Sequence, residues 1–198
     1  TTDERAAVSG VETTRVVTDG RYEVCIPWKE NEPKFYNNYK MACSRLENLE
    51  KSLRKKGDRV ATEYDNIILD YIEKGDIRKV VPLDGEEQLF LPHFPVIREE
   101  KPRTKVRIVF EAAAVSKGKC LNDAILPGPK LQREITDVLL RFRRAPVALS
   151  ADIAQMFLQV KLMEEDRPYH RFLWRNRKED RPPDIYEFLR LPFGNTAS

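Results

Sequence analysis

Apolar positions along the chain change period several times, and the changes divide it into elements. Residues 1 to about 36 keep no sustained period and carry Pro27 and Pro33, which predicts an extended, linker-like arm with one strand-like patch at 22–26 and Trp28 as its anchor. From Asn38 the spacing changes: Ala42, Leu46, Leu49 and Leu53 recur in steps of three and four, one face of a helix, with Asn37 or Asn38 as cap and Gly57 as stop. A second helix follows, with Val60, Tyr64, Ile67, Ile68 and Tyr71 on its apolar face and Gly75 just past its end. So short a turn between two amphipathic helices predicts an antiparallel hairpin.

Beyond Gly75 the period shortens. Residues 77–81, 88–91, 94–97 and 106–110 read as short strands, with Asp84-Gly85 as a hairpin turn. Pro127-Gly128-Pro129 makes a rigid corner before a third helix, whose buried face is marked by Leu131, Ile135, Val138, Leu139 and Phe142 and which Pro146 ends. Val147-Ala148-Leu149-Ser150-Ala151 is a near-continuous apolar run, the pattern of a central strand buried on both faces; it is expected to pack against the third helix, with Asp152 at its tip. Strands at 169–174 and 185–190 complete an α+β pattern, and no internal repeat interrupts it.

Composition narrows the class. Of 198 residues, 41% are hydrophobic and 34% charged, which fits a globular chain with a heavily charged surface. No apolar run approaches the roughly 20 residues of a membrane span, and residues 1–20 lack the basic-then-apolar order of a secretory signal, so an intracellular, cytoplasmic location is the expectation. Cys25, Cys43 and Cys120 are an odd set without a close pair, which predicts free thiols rather than a disulfide framework or zinc knuckle. A net charge of +3 is too small to argue for nucleic acid. Its distribution says more: basic residues gather at Arg54-Lys55-Lys56, between Lys101 and Arg107, at Arg141, Arg143 and Arg144, and between Arg171 and Arg181. Each group by itself reads first as a solvated loop or helix end.

Asp152 is the most informative residue. A carboxylate at the tip of a core strand is where a metal-dependent enzyme holds a divalent cation against a phosphate, although an isolated Asp after a strand is more often a turn residue or helix cap. Its context is Ala148-Leu149-Ser150-Ala151-Asp152-Ile153-Ala154-Gln155-Met156-Phe157-Leu158-Gln159-Val160, which resembles the first catalytic motif of reverse transcriptases. Upstream, Lys105-Val106-Arg107-Ile108-Val109-Phe110, Ser116-Lys117-Gly118 and Leu121-Asn122-Asp123-Ala124-Ile125-Leu126-Pro127-Gly128-Pro129 resemble the fingers of BEL/Pao-type LTR retrotransposon enzymes. Downstream, Leu189-Arg190-Leu191-Pro192-Phe193-Gly194 is similar to the motif that opens the palm helix beneath the incoming nucleotide. The resemblance runs from about Gly20 to the last residue, and the segment from Asp19 to Lys29 looks like the BEL/Pao connection between protease and polymerase.

The resemblance implies a right-hand polymerase fold, fingers plus an incomplete palm: an arm at 1–36, fingers with the helical hairpin at 37–145, and the first part of the palm at 146–198. It implies RNA-directed DNA polymerase activity in a complete Pol polyprotein, with template-primer and dNTP as partners, Mg²⁺ or Mn²⁺ as cofactor, no membrane contact, and a cytoplasmic setting with virus-like-particle or nuclear stages. Asp152 and the backbone carbonyl of Ile153 would hold the metal ions. Arg107, with Lys105, would reach the triphosphate; Phe157 would sit under the sugar and exclude a 2′-hydroxyl; Phe193 and Gly194 would line the nucleotide pocket. Without the resemblance, Phe157 reads as core and Arg107 as the solvent side of a strand, and neither His93 nor His170 suggests a role. Two departures stand out. Glu111-Ala112-Ala113-Ala114 lacks the serine usual after the fingers strand, and no Tyr-x-Asp-Asp motif supplies further carboxylates. The chain is therefore expected to be inactive in isolation, and a non-catalytic nucleic-acid-binding module and a decayed relic remain as alternatives.

Overall fold

The helical hairpin forms where apolar spacing predicts it. In a computed structural model, which describes residues 2–18, 20–30, 33–81, 87–100, 103–144 and 146–196 (side chains of 99, 100 and 103–105 excepted), α2 spans Tyr39–Lys56 and α3 spans Asp58–Glu73. Gly57 separates them at φ +93°, a conformation that an L side chain resists. Their apolar stripes, including Leu46, Leu49, Leu53, Tyr64 and Ile68, are buried. Asn38 stands at the N-cap position but does not cap with its side chain. Its amide donates to Phe90 O at 2.9 Å and accepts from Phe90 N at 2.8 Å, while Asn37 Oδ1 takes the Tyr39 N–H at 2.9 Å. Since Asn38 occupies the backbone groups that a ladder would use, the strand expected at 88–91 reduces to a single bridge between Phe90 and Arg171.

The arm is not extended throughout. Helix α1 covers Thr2–Thr14, followed by β1, Val16–Thr18, and β2, Arg21–Val24. Asp3 and Glu4 in the first turn suit the helix dipole, but only Ala7 is buried. A helix with a single buried alanine leaves no apolar period to read. Trp28 does anchor the arm: Nε1 donates to Asp166 Oδ1 at 2.7 Å, and the ring meets Tyr169 edge-on at 4.8 Å.

Strand β3, Ile77–Val80, pairs antiparallel with β8, Asp184–Phe188, which pairs antiparallel with β7, Arg171–Trp174. Strands β4, His93–Glu100, and β5, Arg103–Phe110, form a two-stranded ribbon with Val96 opposite Arg107 and Arg98 opposite Lys105. A two-residue strand β6, Lys161–Leu162, runs parallel to β2. The Asp84-Gly85 turn lies outside the described residues. One core cluster joins Ile26 of the arm, both hairpin helices, Val106, Ile108 and Phe110 of β5, and Phe172, Leu173, Ile185 and Phe188 of the sheet. At its centre the Phe110 ring meets Phe172 at 4.9 Å and Phe188 at 4.7 Å, both edge-on, the arrangement that aromatic quadrupoles favour.

Two expectations fail together. Helix α4, Ile135–Phe142, forms, but none of its residues is buried, and Leu131, Ile135, Val138, Leu139 and Phe142 are all exposed. The run from Val147 to Ala151 is not a strand, and Leu149 is 87% exposed. It therefore does not form a core strand packed on the third helix. Periodicity and apolar runs report that a face seeks cover without saying what covers it, and a central strand needs ladder partners on both sides. Among the described residues no strand pairs with 147–151.

Candidate nucleotide-binding site

Strand β5 is the scaffold. Strand alternation places Val106, Ile108 and Phe110 in the core, so Arg107 projects from the opposite, exposed face beside Phe94 and Val96. Lys105 occupies the next outward position, and its side chain lies outside the described residues.

The residues that follow Asp152 turn back onto this scaffold. Gln155 adopts a left-handed conformation, φ +50°, and Met156–Gln159 form a 3₁₀ turn that buries Leu158 and half-buries Phe157 against the core. A non-glycine residue in that region carries local strain, which here makes the sharp bend between the Asp152 segment and the Phe157 turn. Gln159 Nε2 braces the bend by donating to Ala154 O at 3.0 Å. The Phe157 ring then meets the edge of the Phe193 ring at 5.1 Å. Phe193 is 36% exposed, so the aromatic pair is open to solvent on one side.

Gly194 joins this pair to the scaffold. At φ +101° it lies against the end of β5 so tightly that a Cβ would fall well inside contact distance of Phe110 O. Only glycine brings the backbone this close. The turn is also held from its sides: Asn122 donates from Nδ2 to Gly194 O at 3.3 Å and accepts the Thr196 N–H on Oδ1 at 2.9 Å. The fold thus gathers Phe157, Phe193 and Gly194 at the end of the strand that carries Arg107. It does not gather Asp152 and Ile153. Both are exposed, with no hydrogen bond or ion pair from Asp152 to any described residue. Among the described residues, no three His, Cys, Asp or Glu side chains converge as metal ligands.

No family model and no curated protein matches this sequence. Among solved structures, the chain is similar to the foamy viral protease-reverse transcriptase dRH in complex with ds DNA, at 16% identity and a TM-score of 0.44. The match covers 65% of this chain and 19% of that one. At that score the likeness settles neither fold nor activity.

The basic groups sort unevenly. Arg175 is bidentate to the buried Glu50 at 2.9 and 2.6 Å, Arg177 holds Asp65 at 2.7 and 2.5 Å, Arg171 holds Glu187 at 3.0 Å, and Arg181 holds Asp184 at 2.8 Å. The arginines of the 171–181 group are thus spent on internal pairing, whereas Lys178, Arg141, Arg143 and Arg144 are exposed.

The two histidines without a role in the sequence are both buried. His170 donates from Nδ1 to Asp166 O at 2.9 Å and accepts on Nε2 from Asn195 Nδ2 at 3.1 Å; burial pushes its pKa down to about 4, so the ring is neutral. His93 lies between Tyr64 OH, at 2.5 Å, and Leu173 O, at 2.9 Å, likewise neutral with a pKa near 4. A neutral ring with one donor and one acceptor satisfies both environments. Sequence reasoning missed Asn122, His170 and Asn195 as parts of the site's frame. Asparagines that bridge loops carry no period, and their partners lie tens of residues away.

Proposed function

We propose that this chain is the fingers and opening palm segment of a BEL/Pao-type retrotransposon reverse transcriptase, an RNA-directed DNA polymerase acting within a larger Pol polyprotein. What supports the reading is one juxtaposition: Phe157 of the Asp152 motif against Phe193, with Gly194 of the downstream motif seated on Phe110, the last residue of the Arg107 strand. Three segments far apart in sequence thus meet at the end of one strand. In this reading Arg107 offers an exposed guanidinium to the triphosphate, the Phe157 ring crowds the sugar so that a 2′-hydroxyl collides, and Gly194 seats the downstream turn on β5. Asp152 and Ile153 are the positions for metal contact, but one exposed carboxylate does not by itself fit a divalent cation, and no step is assigned to one. Template-primer and dNTP are the proposed partners, and the cytoplasm the proposed setting. Internal pairing of the 171–181 arginines weighs against a module that only grips nucleic acid.

The test begins with the reading frame. The codons after Ser198 are expected to encode a Tyr-x-Asp-Asp hairpin, and the resulting protein to extend a DNA primer on an RNA template. Asp152→Asn is expected to lower that rate at least about a thousandfold, and Phe157→Ala to admit ribonucleotides. A longer protein that carries the motif yet incorporates nothing, or an Asp152→Asn enzyme at full rate, would overturn the proposal.

A further inference from the structure

The Phe193–Gly194 turn is the least supported part of the proposed pocket, since it belongs to no helix or strand. What fixes it is a clamp on both flanks. On one flank stands Asn122, in the short 3₁₀ turn Leu121–Ala124. Its backbone N–H is tied to Ala112 O at 3.1 Å, so Asn122 is fastened to the chain that continues β5. Its side-chain amide then makes both a donor and an acceptor bond across the turn, to Gly194 O and from Thr196 N. On the other flank, the buried Asn195 reaches the fully buried His170, whose second nitrogen is tied to Asp166 O. The Asp166 carboxylate in turn accepts from Ile26 N at 2.6 Å and Trp28 Nε1 at 2.7 Å. Because the ring is neutral, it can accept from Asn195; a charged ring would point a second N–H at the amide nitrogen.

Resting on the proposed polymerase reading, we infer that Asn122 is a positioning residue for the nucleotide pocket: its amide sets where Phe193 stands relative to Phe157. Asn122 acts through the turn rather than by touching substrate. It acts by holding the Gly194 carbonyl and the Thr196 N–H, and hence the turn whose adjoining Phe193 ring meets Phe157. A displacement of an ångström at Phe193 widens the slot that Phe157 narrows, and misplacement on that scale is costly in a site that selects by collision. Loss of Asn122 therefore weakens nucleotide binding and sugar discrimination together. The His170–Asn195 flank remains to keep the turn folded.

The experiment is primer extension by the full protein encoded in frame with this chain, comparing wild type, Asn122→Ala and Asn122→Asp. Asn122→Ala is expected to raise KM for dNTP roughly tenfold to thirtyfold with kcat changed less than about threefold, and to lower the dNTP-over-rNTP preference by a similar factor. Asn122→Asp keeps the acceptor for Thr196 N–H but places an oxygen against Gly194 O, so it should rescue part of the discrimination and not all. If Asn122→Ala lowers thermal stability but leaves KM and sugar preference at wild-type values, Asn122 is merely structural and the inference is overturned. A wild-type protein that extends no primer removes the polymerase reading itself, and the positioning role with it.

Discussion

Gly194 shows how one residue can tie a loop to a scaffold. Two penalties meet any side chain there: a φ of +101°, which L residues rarely adopt, and the Phe110 carbonyl oxygen in the path of Cβ. Gly57 is a natural control, since its φ is +93° but its Cβ direction is open. Gly57→Ala is therefore expected to cost only backbone strain, roughly 1–2 kcal/mol, and Gly194→Ala roughly 2–4 kcal/mol. Urea unfolding of the two variants checks this, and equal losses would mean that the Phe110 contact adds nothing. The obstacle at Gly194 is backbone, which cannot rotate away as a flexible side chain would.

Elements were legible in the sequence in proportion to how much of their stability is local or periodic. The α2–α3 hairpin has an apolar stripe, a glycine stop and a short turn, and all three are readable. Strands β4, β5, β7 and β8 declared themselves by β-branched and aromatic runs, with ends shifted by a few residues. Helix α1 was hidden because it has one buried alanine and no long run of strong helix formers, and 88–91 misled because Asn38 takes the Phe90 backbone. At the candidate site, Phe157, Phe193 and Gly194, singled out through the motif resemblance, lie together, while the asparagine clamp had no pattern to find. What joins helices to sheet is equally non-local. Glu50 of α2, 1% exposed, pairs with Arg175 just past β7, and Asp65 of α3 with Arg177. Arg175→Met leaves Glu50 buried without a counter-charge and is expected to cost about 3–5 kcal/mol, whereas the double variant with Glu50→Leu should recover most of it. A denaturation double-mutant cycle measures the coupling. Independent, additive losses would mean that this pair does not lock α2 to the sheet.

The molecule as a whole hangs on a core in which aromatic rings surround His93, while a second histidine, His170, is sealed beneath the candidate turn. Both are held neutral, with pKa near 4 against an ordinary 6.5, because burial penalises the charged ring. In the unfolded chain each would take a proton as pH falls through about 6.5. Between about 6.5 and 4 the unfolded state thus binds more protons than the folded one, and stability must fall with pH across that window. The sign is the reverse of that for a histidine gaining an anionic partner: the contribution is complete above 6.5 and lost on acidification. At pH 5 the loss is about 2 kcal/mol per histidine, or about 4 kcal/mol for the two, a large share of a small domain's stability. Asp76 and Asp166, whose pKa values burial raises, work in the opposite direction, since their protonation favours the folded state. Urea midpoints measured from pH 7.5 to pH 5 should therefore decline steeply. The slope should roughly halve in His93→Gln, which keeps polar groups but cannot titrate. A flat profile in the wild-type protein would mean that the rings accept protons without unfolding, and that the core around His93 is open to water.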